Sequence, residues 1–209
     1  MHYRFPQLFI PGLFITDLDG TLLTDERTLS SENRKALEGL RQKGIITVLA
    51  TGRSMQVFDK TLTGPAGLQN TMEALPFDYV IFSTGAGVME YPAGNIILKK
   101  SLTPYEVQLI TACFDAHRLD YMVHHPIPHT NRFFYKSHGK SNPDFHARLT
   151  IYPKDGKNLA QHCMALEGAT QVLAIIPPDA DYAIIKKVKQ ELPDFSIIQA
   201  TSPLDHKSL

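Results

Sequence analysis

The chain has 209 residues, enough for a sizeable core and for one or two domains. Lys plus Arg and Asp plus Glu each number 21, so the formal net charge is zero and no strongly basic face signals nucleic acid as the main partner. Two cysteines, Cys113 and Cys163, are too few for a disulfide framework and read as buried thiols of a reducing compartment. No stretch is long enough to span a membrane. The apolar N-terminus with Arg4 mimics a secretion signal but lacks a small-residue cleavage pattern, so the expected location is cytoplasmic.

In chain order, strand one is expected over 9–17, an apolar run ending at Asp17. Residues 20–28 suit a small hairpin or flap. Ser30-Ser31-Glu32 opens a helix with a serine cap and an acid in its first turn, and Gly44 stops it. Strand two spans about 45–50, a second helix runs from Ser54 to near Gly64, and 64–76 read as loop or short turns. Strand three is Tyr79 to Phe82. This β-α-β-α-β order implies a parallel, doubly wound sheet, whose chemistry gathers at the carboxyl ends of its strands.

Two carboxylates stand at such an end in Asp17-Leu18-Asp19-Gly20-Thr21-Leu22-Leu23. An aspartate can serve as a covalent nucleophile, including toward phosphate. A carboxylate approaching a phosphate dianion is repelled, and Mg²⁺ bound through carboxylate and phosphate oxygens relieves that repulsion. A second carboxyl can protonate the leaving oxygen and later activate water. Thr51-Gly52-Arg53, at the end of strand two, adds a hydroxyl and a glycine N–H at a helix start, which suits phosphate, and a guanidinium that can fork onto an oxyanion. An acidic helix-capping turn is the plainer reading of the aspartates, but it needs neither both acids nor the Gly-Thr that follows.

The string Asp17 to Leu23 resembles the first motif of the haloacid dehalogenase-like hydrolases, and Thr51-Gly52-Arg53 is similar to the second motif of their Cof-type subgroup. The resemblance implies a Rossmann-like α/β core with an inserted α+β cap. It implies that Asp17 is the nucleophile, Asp19 the acid/base, and that Asp17 and the Asp19 carbonyl bind Mg²⁺. Leu18, Thr51, Gly52 and Arg53 are then the phosphate- and substrate-binding positions. Small phosphorylated, sugar-phosphate-like metabolites are the implied substrates. After strand three, Thr84-Gly85-Ala86 replaces the subgroup's usual Asn-Gly-Ala, which weakens a ligand role at position 84.

Beyond Gly87 the pattern changes. Val88 to Tyr91 and Ile96 to Leu98 flank Pro92-Ala93-Gly94-Asn95 as a hairpin. Thr103-Pro104-Tyr105-Glu106 is a capping box, and Val107, Ile110, Phe114 and His117 follow at helical spacing. Strands are expected at 121–125, 133–136 and 171–176, a helix from Asp179 to about Leu192 with Asp179 as its cap, and a closing strand at 196–200. Together they read as an antiparallel sheet with helices on one face. The expected division is a core over 1–87, a cap over 88–201 and the start of a return to the core over 202–209. His124-His125-Pro126-Ile127-Pro128-His129 is better read as a specificity loop or solvated surface than as a zinc site, which needs three or four convergent ligands.

The family pattern continues with a third-motif Lys and a Gly-Asp-x-x-x-Asp loop; this sequence has no Gly-Asp dipeptide, and Lys207 comes too early to stand in. The expectation is a truncated or degenerate chain whose first strand exposes an apolar edge, covered by the tail, by swapped elements or by another copy in a homo-oligomer. Sequence alone leaves several readings open. One is a Mg²⁺-dependent phosphoric monoester hydrolase acting through an aspartyl-phosphate. Another is an impaired remnant that binds phosphate or self-associates. A third is a phosphotransferase or mutase using the same aspartate.

Overall fold

A computed structural model describes residues 12–24, 28–63, 75–139, 141–159, 167–202 and 204. The chain divides into two compact units, Met1–Lys99 and Lys100–Leu209. No helix among the described residues is long and apolar enough to cross a membrane.

The first unit is built on a five-stranded sheet ordered β1-β2-β3-β4-β5, with β1 Leu13–Asp17, β2 Ile46–Ala50, β3 Tyr79–Phe82, β4 Gly87–Glu90 and β5 Ile96–Lys99. β1, β2 and β3 run parallel, while β3–β4 and β4–β5 are antiparallel. Val48 and Leu49 are buried side by side along β2, as expected of a strand covered on both faces. Helix α1, Ser31–Gln42, starts where the Ser30 hydroxyl accepts the Asn33 N–H at 3.1 Å. It ends at Gly44, whose φ of +75° suits glycine after a helix. Helix α2 spans Met55–Thr63. β1 has β2 as its single strand partner among the described residues, and Leu13, Phe14 and Ile15 on it are 50, 38 and 50% exposed.

The second unit has a four-stranded sheet ordered β8-β7-β6-β9, with β6 Asp120–His124, β7 Phe133–Lys136, β8 Gly156–Asn158 and β9 Gln171–Ile175. Its helices are α3 Pro104–Ala116, α4 Pro143–Ile151 and α5 Ala183–Glu191. Successive strand residues face opposite ways, and β6 uses both. Tyr121 and Val123 pack with Val107, Ile110 and Phe114 of α3 and Val188 of α5. Met122 packs with Phe133, Ile175 and the fully buried Phe145 of α4. Removing such a phenylalanine side chain costs about 3–5 kcal/mol.

Several expectations are corrected here. The β4–β5 hairpin forms, but it pairs with β3 and lies in the first unit, so the division falls at Lys99/Lys100 rather than near Gly87. The second sheet is mixed, because β7 and β8 run parallel. Helices cover both of its faces, since α4 packs opposite α3 and α5. α5 begins at Ala183, whose N–H donates to Asp181 at 2.9 Å, so Asp181 and not Asp179 serves its start. Residues 196–200 form no strand; Phe195 and Ile197 satisfy their apolar pattern by packing on the α3–α5 cluster. Cys163, most of the 64–76 loop, and Lys207 of the tail lie outside the described residues.

Candidate active site

Strand register brings the two motifs to one edge. Asp17 pairs with Ala50, and Ala50 with Ile81, so the first three strands end level. Residues 18–20, 51–53 and 83–85 are therefore the loops at one carboxyl edge of a parallel sheet, where such folds place ligands. Asp17 is the last residue of β1 and is exposed. The Leu18 side chain is fully buried, so only its backbone can face a ligand; its carbonyl accepts the N–H groups of Leu22 and Leu23 at 3.2 and 3.1 Å. Gly20 turns the chain at a φ of +72°, where a side chain would be strained. At the base of the expected flap Leu23 bridges Leu29, and the Asn33 amide donates to the Leu22 carbonyl at 3.1 Å; residues 25–27 lie outside the described residues.

Asp19 is held from the second motif. Arg53 Nε donates to Asp19 Oδ2 at 2.8 Å, and Arg53 Nη2 donates to Oδ1. Two parallel N–H donors on one carboxylate make a directional, charge-assisted pair. The Asp19 side chain is 51% exposed, so the pair carries orientation more than stability.

The Thr51 corner is braced from β3. Thr51 is 5% exposed; its N–H donates to the Ile81 carbonyl at 2.9 Å, and its hydroxyl accepts the Arg53 N–H at 3.2 Å. The Ser83 N–H donates to the Arg53 carbonyl at 2.8 Å and the Thr84 N–H to the Thr51 carbonyl at 3.4 Å. Ser83 and Thr84 sit at φ +50° and +54°, left-handed backbone that disfavours a β-branched residue. Strain of this kind persists where surroundings over-determine it, commonly at functional sites. A Cβ added to Gly52 would meet only Thr84 Oγ1, at 3.7 Å, so packing does not demand glycine there. The bracing by Ser83 and Thr84 was not read from sequence, because it depends on the level ending of β2 and β3.

The donor set at β1 suits a hard cation. Mg²⁺ takes oxygen ligands, including one or two carboxylates. Asp17 offers an exposed carboxylate, and Asp19 a main-chain carbonyl two residues on. In the second unit the His124–His129 loop holds no metal-type cluster among the described residues. His124 Nδ1 donates to the Thr130 carbonyl at 2.9 Å, and His125 lies against Phe134 with ring centroids 5.0 Å apart. The one described cluster with metal-ligand character is Cys113, His117 and Glu191, which sequence reasoning missed. Its legible part is the four-residue spacing of Cys113 and His117.

Comparisons with known proteins agree on the fold. The family model described as haloacid dehalogenase-like hydrolase matches residues 14–204. The 5-amino-6-(5-phospho-D-ribitylamino)uracil phosphatase YcsE of Bacillus subtilis is 49% identical over 43 residues, 21% of this chain and 17% of that protein. A crystal structure of a hypothetical protein from Geobacillus kaustophilus superposes with a TM-score of 0.61 at 17% identity, covering 95% of this chain and 67% of the other. The subclass IIB sugar phosphatase BT4131 gives a TM-score of 0.57 at 19% identity, covering 88% and 64%. The chain thus spans well under two thirds of the first curated relatives it matches.

Proposed function

The chain belongs to the haloacid dehalogenase-like hydrolase family, of the Cof type, and from that membership we propose that it carries the Mg²⁺-dependent phosphatase site for a small phosphorylated, sugar-phosphate-like metabolite. The observation that carries this reading is the Arg53–Asp19 fork, which joins the first and second motifs at the level ends of β1 and β2. The YcsE name is consistent in kind, since its substrate is a phosphorylated small molecule. The second unit, Lys100–Leu209, takes the role of the substrate-selecting cap.

In this proposal Thr51, the Gly52 N–H, the Leu18 backbone and Arg53 position the phosphate. An Asp17 carboxylate oxygen attacks phosphorus as the bond to the leaving oxygen breaks, and Asp19 gives that oxygen its proton. Asp19 then takes a proton from water, which attacks the aspartyl-phosphate; phosphate leaves and Asp17 is regenerated. Mg²⁺, held by the Asp17 carboxylate and the Asp19 carbonyl, would neutralise charge on the nucleophile and phosphate. Before substrate arrives, Arg53 occupies the Asp19 carboxylate. An incoming phosphate monoanion competes for the same guanidinium and frees Asp19, which takes up the proton of that monoanion before it returns it to the leaving oxygen.

The test is release of inorganic phosphate from p-nitrophenyl phosphate and a panel of sugar phosphates, with and without Mg²⁺, by the wild type and by Asp17→Asn. Mg²⁺-dependent release that disappears in the variant is expected. Release that survives Asp17→Asn, or no release by the wild type, overturns the reading.

A further inference from the structure

We propose that Cys113, His117 and Glu191 form a second, separate metal site, for a thiolate-binding divalent transition ion such as Zn²⁺ or Co²⁺. Cys113 lies on α3 and His117 caps its end four residues later, so both side chains stand on one helix face. Glu191, the last residue of α5, meets them from the neighbouring helix. One carboxylate serves both: Cys113 Sγ donates to Glu191 Oε2 at 3.4 Å, and His117 Nε2 lies 2.8 Å from Oε1. The donor atoms all fall within 4.8 Å of one another. Zinc–sulfur bonds of about 2.3 Å and zinc–nitrogen or –oxygen bonds of about 2.0–2.1 Å put neighbouring ligand atoms roughly 3.5 Å apart in a tetrahedral site. The triad is close to that spacing already.

The chemistry of the set points the same way. Cys113 is buried in the apolar α3–α5 cluster, yet its thiol turns to a carboxylate rather than to a hydrocarbon neighbour. A divalent ion entering between the three groups takes the place of the thiol proton and of the His117 Nε2 proton that now points at Glu191; the thiol proton leaves to solvent, the ring keeps or moves a single proton to Nδ1, and the freed Nε2 lone pair binds the ion. Glu191 is exposed, so the outer side is open for water as a fourth ligand. Lys187 also acts on Glu191 and opposes the ion weakly from solvent. None of these residues belongs to the first unit, so the inference does not depend on the phosphatase reading.

The experiment is a Co²⁺ titration of the reduced, tag-free 209-residue chain followed by absorption. Expected are thiolate-to-cobalt charge transfer in the near ultraviolet and tetrahedral d–d bands, saturating at equimolar metal and abolished by Zn²⁺. Both persist in Cys163→Ser and Asp17→Asn, and the charge transfer is lost in Cys113→Ser. His117→Ala and Glu191→Gln weaken binding by at least the roughly 10- to 100-fold that even outer-sphere partners contribute. Zn²⁺ raises the melting temperature of the wild type but not of Cys113→Ser. No charge transfer in the wild type, its survival in Cys113→Ser, or its indifference to both His117→Ala and Glu191→Gln leaves only a His–Glu ion pair and overturns the proposal.

Discussion

Arg53 grips Asp19 with two nitrogens, Nε and Nη2, across 34 positions of sequence. The geometry is a planar fork, which only a guanidinium supplies. It fixes the Asp19 side chain, and it gives the two motifs a direct chemical link.

That link predicts a difference between two substitutions. Arg53→Ala removes the fork and, on the proposed function, the phosphate contact, and kcat/KM should fall about 100- to 1000-fold, the usual loss for one preorganised electrostatic group. Arg53→Lys keeps the charge but not the fork, and should recover only a small part of that loss. Both variants should keep wild-type stability within about 1 kcal/mol, because the Asp19 carboxylate that Arg53 holds is half exposed and stays hydrated without it. Steady-state kinetics and urea unfolding check the two halves, and full recovery of activity by Lys would contradict the fork.

Thr84 offers a stability gain. It holds a φ of +54° with a branched Cβ, a conformation worth roughly 1–3 kcal/mol of strain. Asn tolerates that backbone far better. Thr84→Asn should raise the unfolding free energy by about 1 kcal/mol, read as a higher urea midpoint with an unchanged slope. A lower midpoint would mean that the Thr84 side chain, near Gly52, contributes more than its backbone costs.

How much of this was legible depended on how local each signal was. The Ser30 cap, the Gly44 stop and the Thr103–Glu106 box are short-range chemistry, and all stand where the residues put them. Asp17 at a strand end followed from an apolar run and a turn. The Arg53–Asp19 contact did not, because spacing names two motifs without saying which side chains touch. α4 was missed although Asn142-Pro143-Asp144 is a good start signal, since a single fully buried phenylalanine, Phe145, anchors it. β8, Gly156-Lys157-Asn158, has no apolar pattern and exists through its parallel pairing with β7. Glu191 joins Cys113 only through the packing of α3 on α5, 78 residues along the chain.

The far end of the second unit is tied down by a buried polar triangle. The Ser202 hydroxyl donates to Asp144 Oδ1 at 2.6 Å, Arg148 Nε donates to Asp144 Oδ2 at 2.8 Å, and Arg148 Nη2 donates to the Ser202 oxygen at 2.8 Å. The Asp144 side chain is wholly buried, while Arg148 keeps 19% exposure. Asp144→Ala should cost about 3 kcal/mol, the low end for breaking a buried pair, because Arg148 can turn to water. Ser202→Ala should cost about 1–2 kcal/mol. The double variant should cost less than the sum, since the groups share partners. Additive costs in urea unfolding would show that the triangle does not act as a unit.

His124 makes the second unit sensitive to mild acid. Its ring packs against Phe133 at a centroid distance of 5.3 Å, and its Nδ1 lies 2.9 Å from the Thr130 carbonyl. A carbonyl only accepts, so Nδ1 carries the proton of the neutral ring. Burial lowers the His124 pKa, with nearby Arg148 and His125 acting in the same direction against the Thr130 carbonyl. His125 is also lowered, chiefly by burial. An imidazole lowered in the folded chain binds its proton more readily once unfolded. Its contribution is therefore complete above the unfolded value of about 6.5 and is lost as pH falls through the folded value. The urea midpoint should drop between about pH 7.5 and about pH 5, and His124→Gln should reduce that drop even if it lowers the midpoint at both ends. Each pKa unit removed corresponds to about 1.4 kcal/mol of pH-dependent stability, so the difference in slope between wild type and variant measures the His124 shift. The residual slope belongs in part to His125, and His124→Gln/His125→Gln should flatten it further. An identical drop in wild type and double variant would place the acid sensitivity elsewhere, though not at Asp78. Burial alone would raise its carboxyl, but the Thr47 N–H and hydroxyl and the Arg41 guanidinium hold it below the usual range, so its contribution fades only at lower pH.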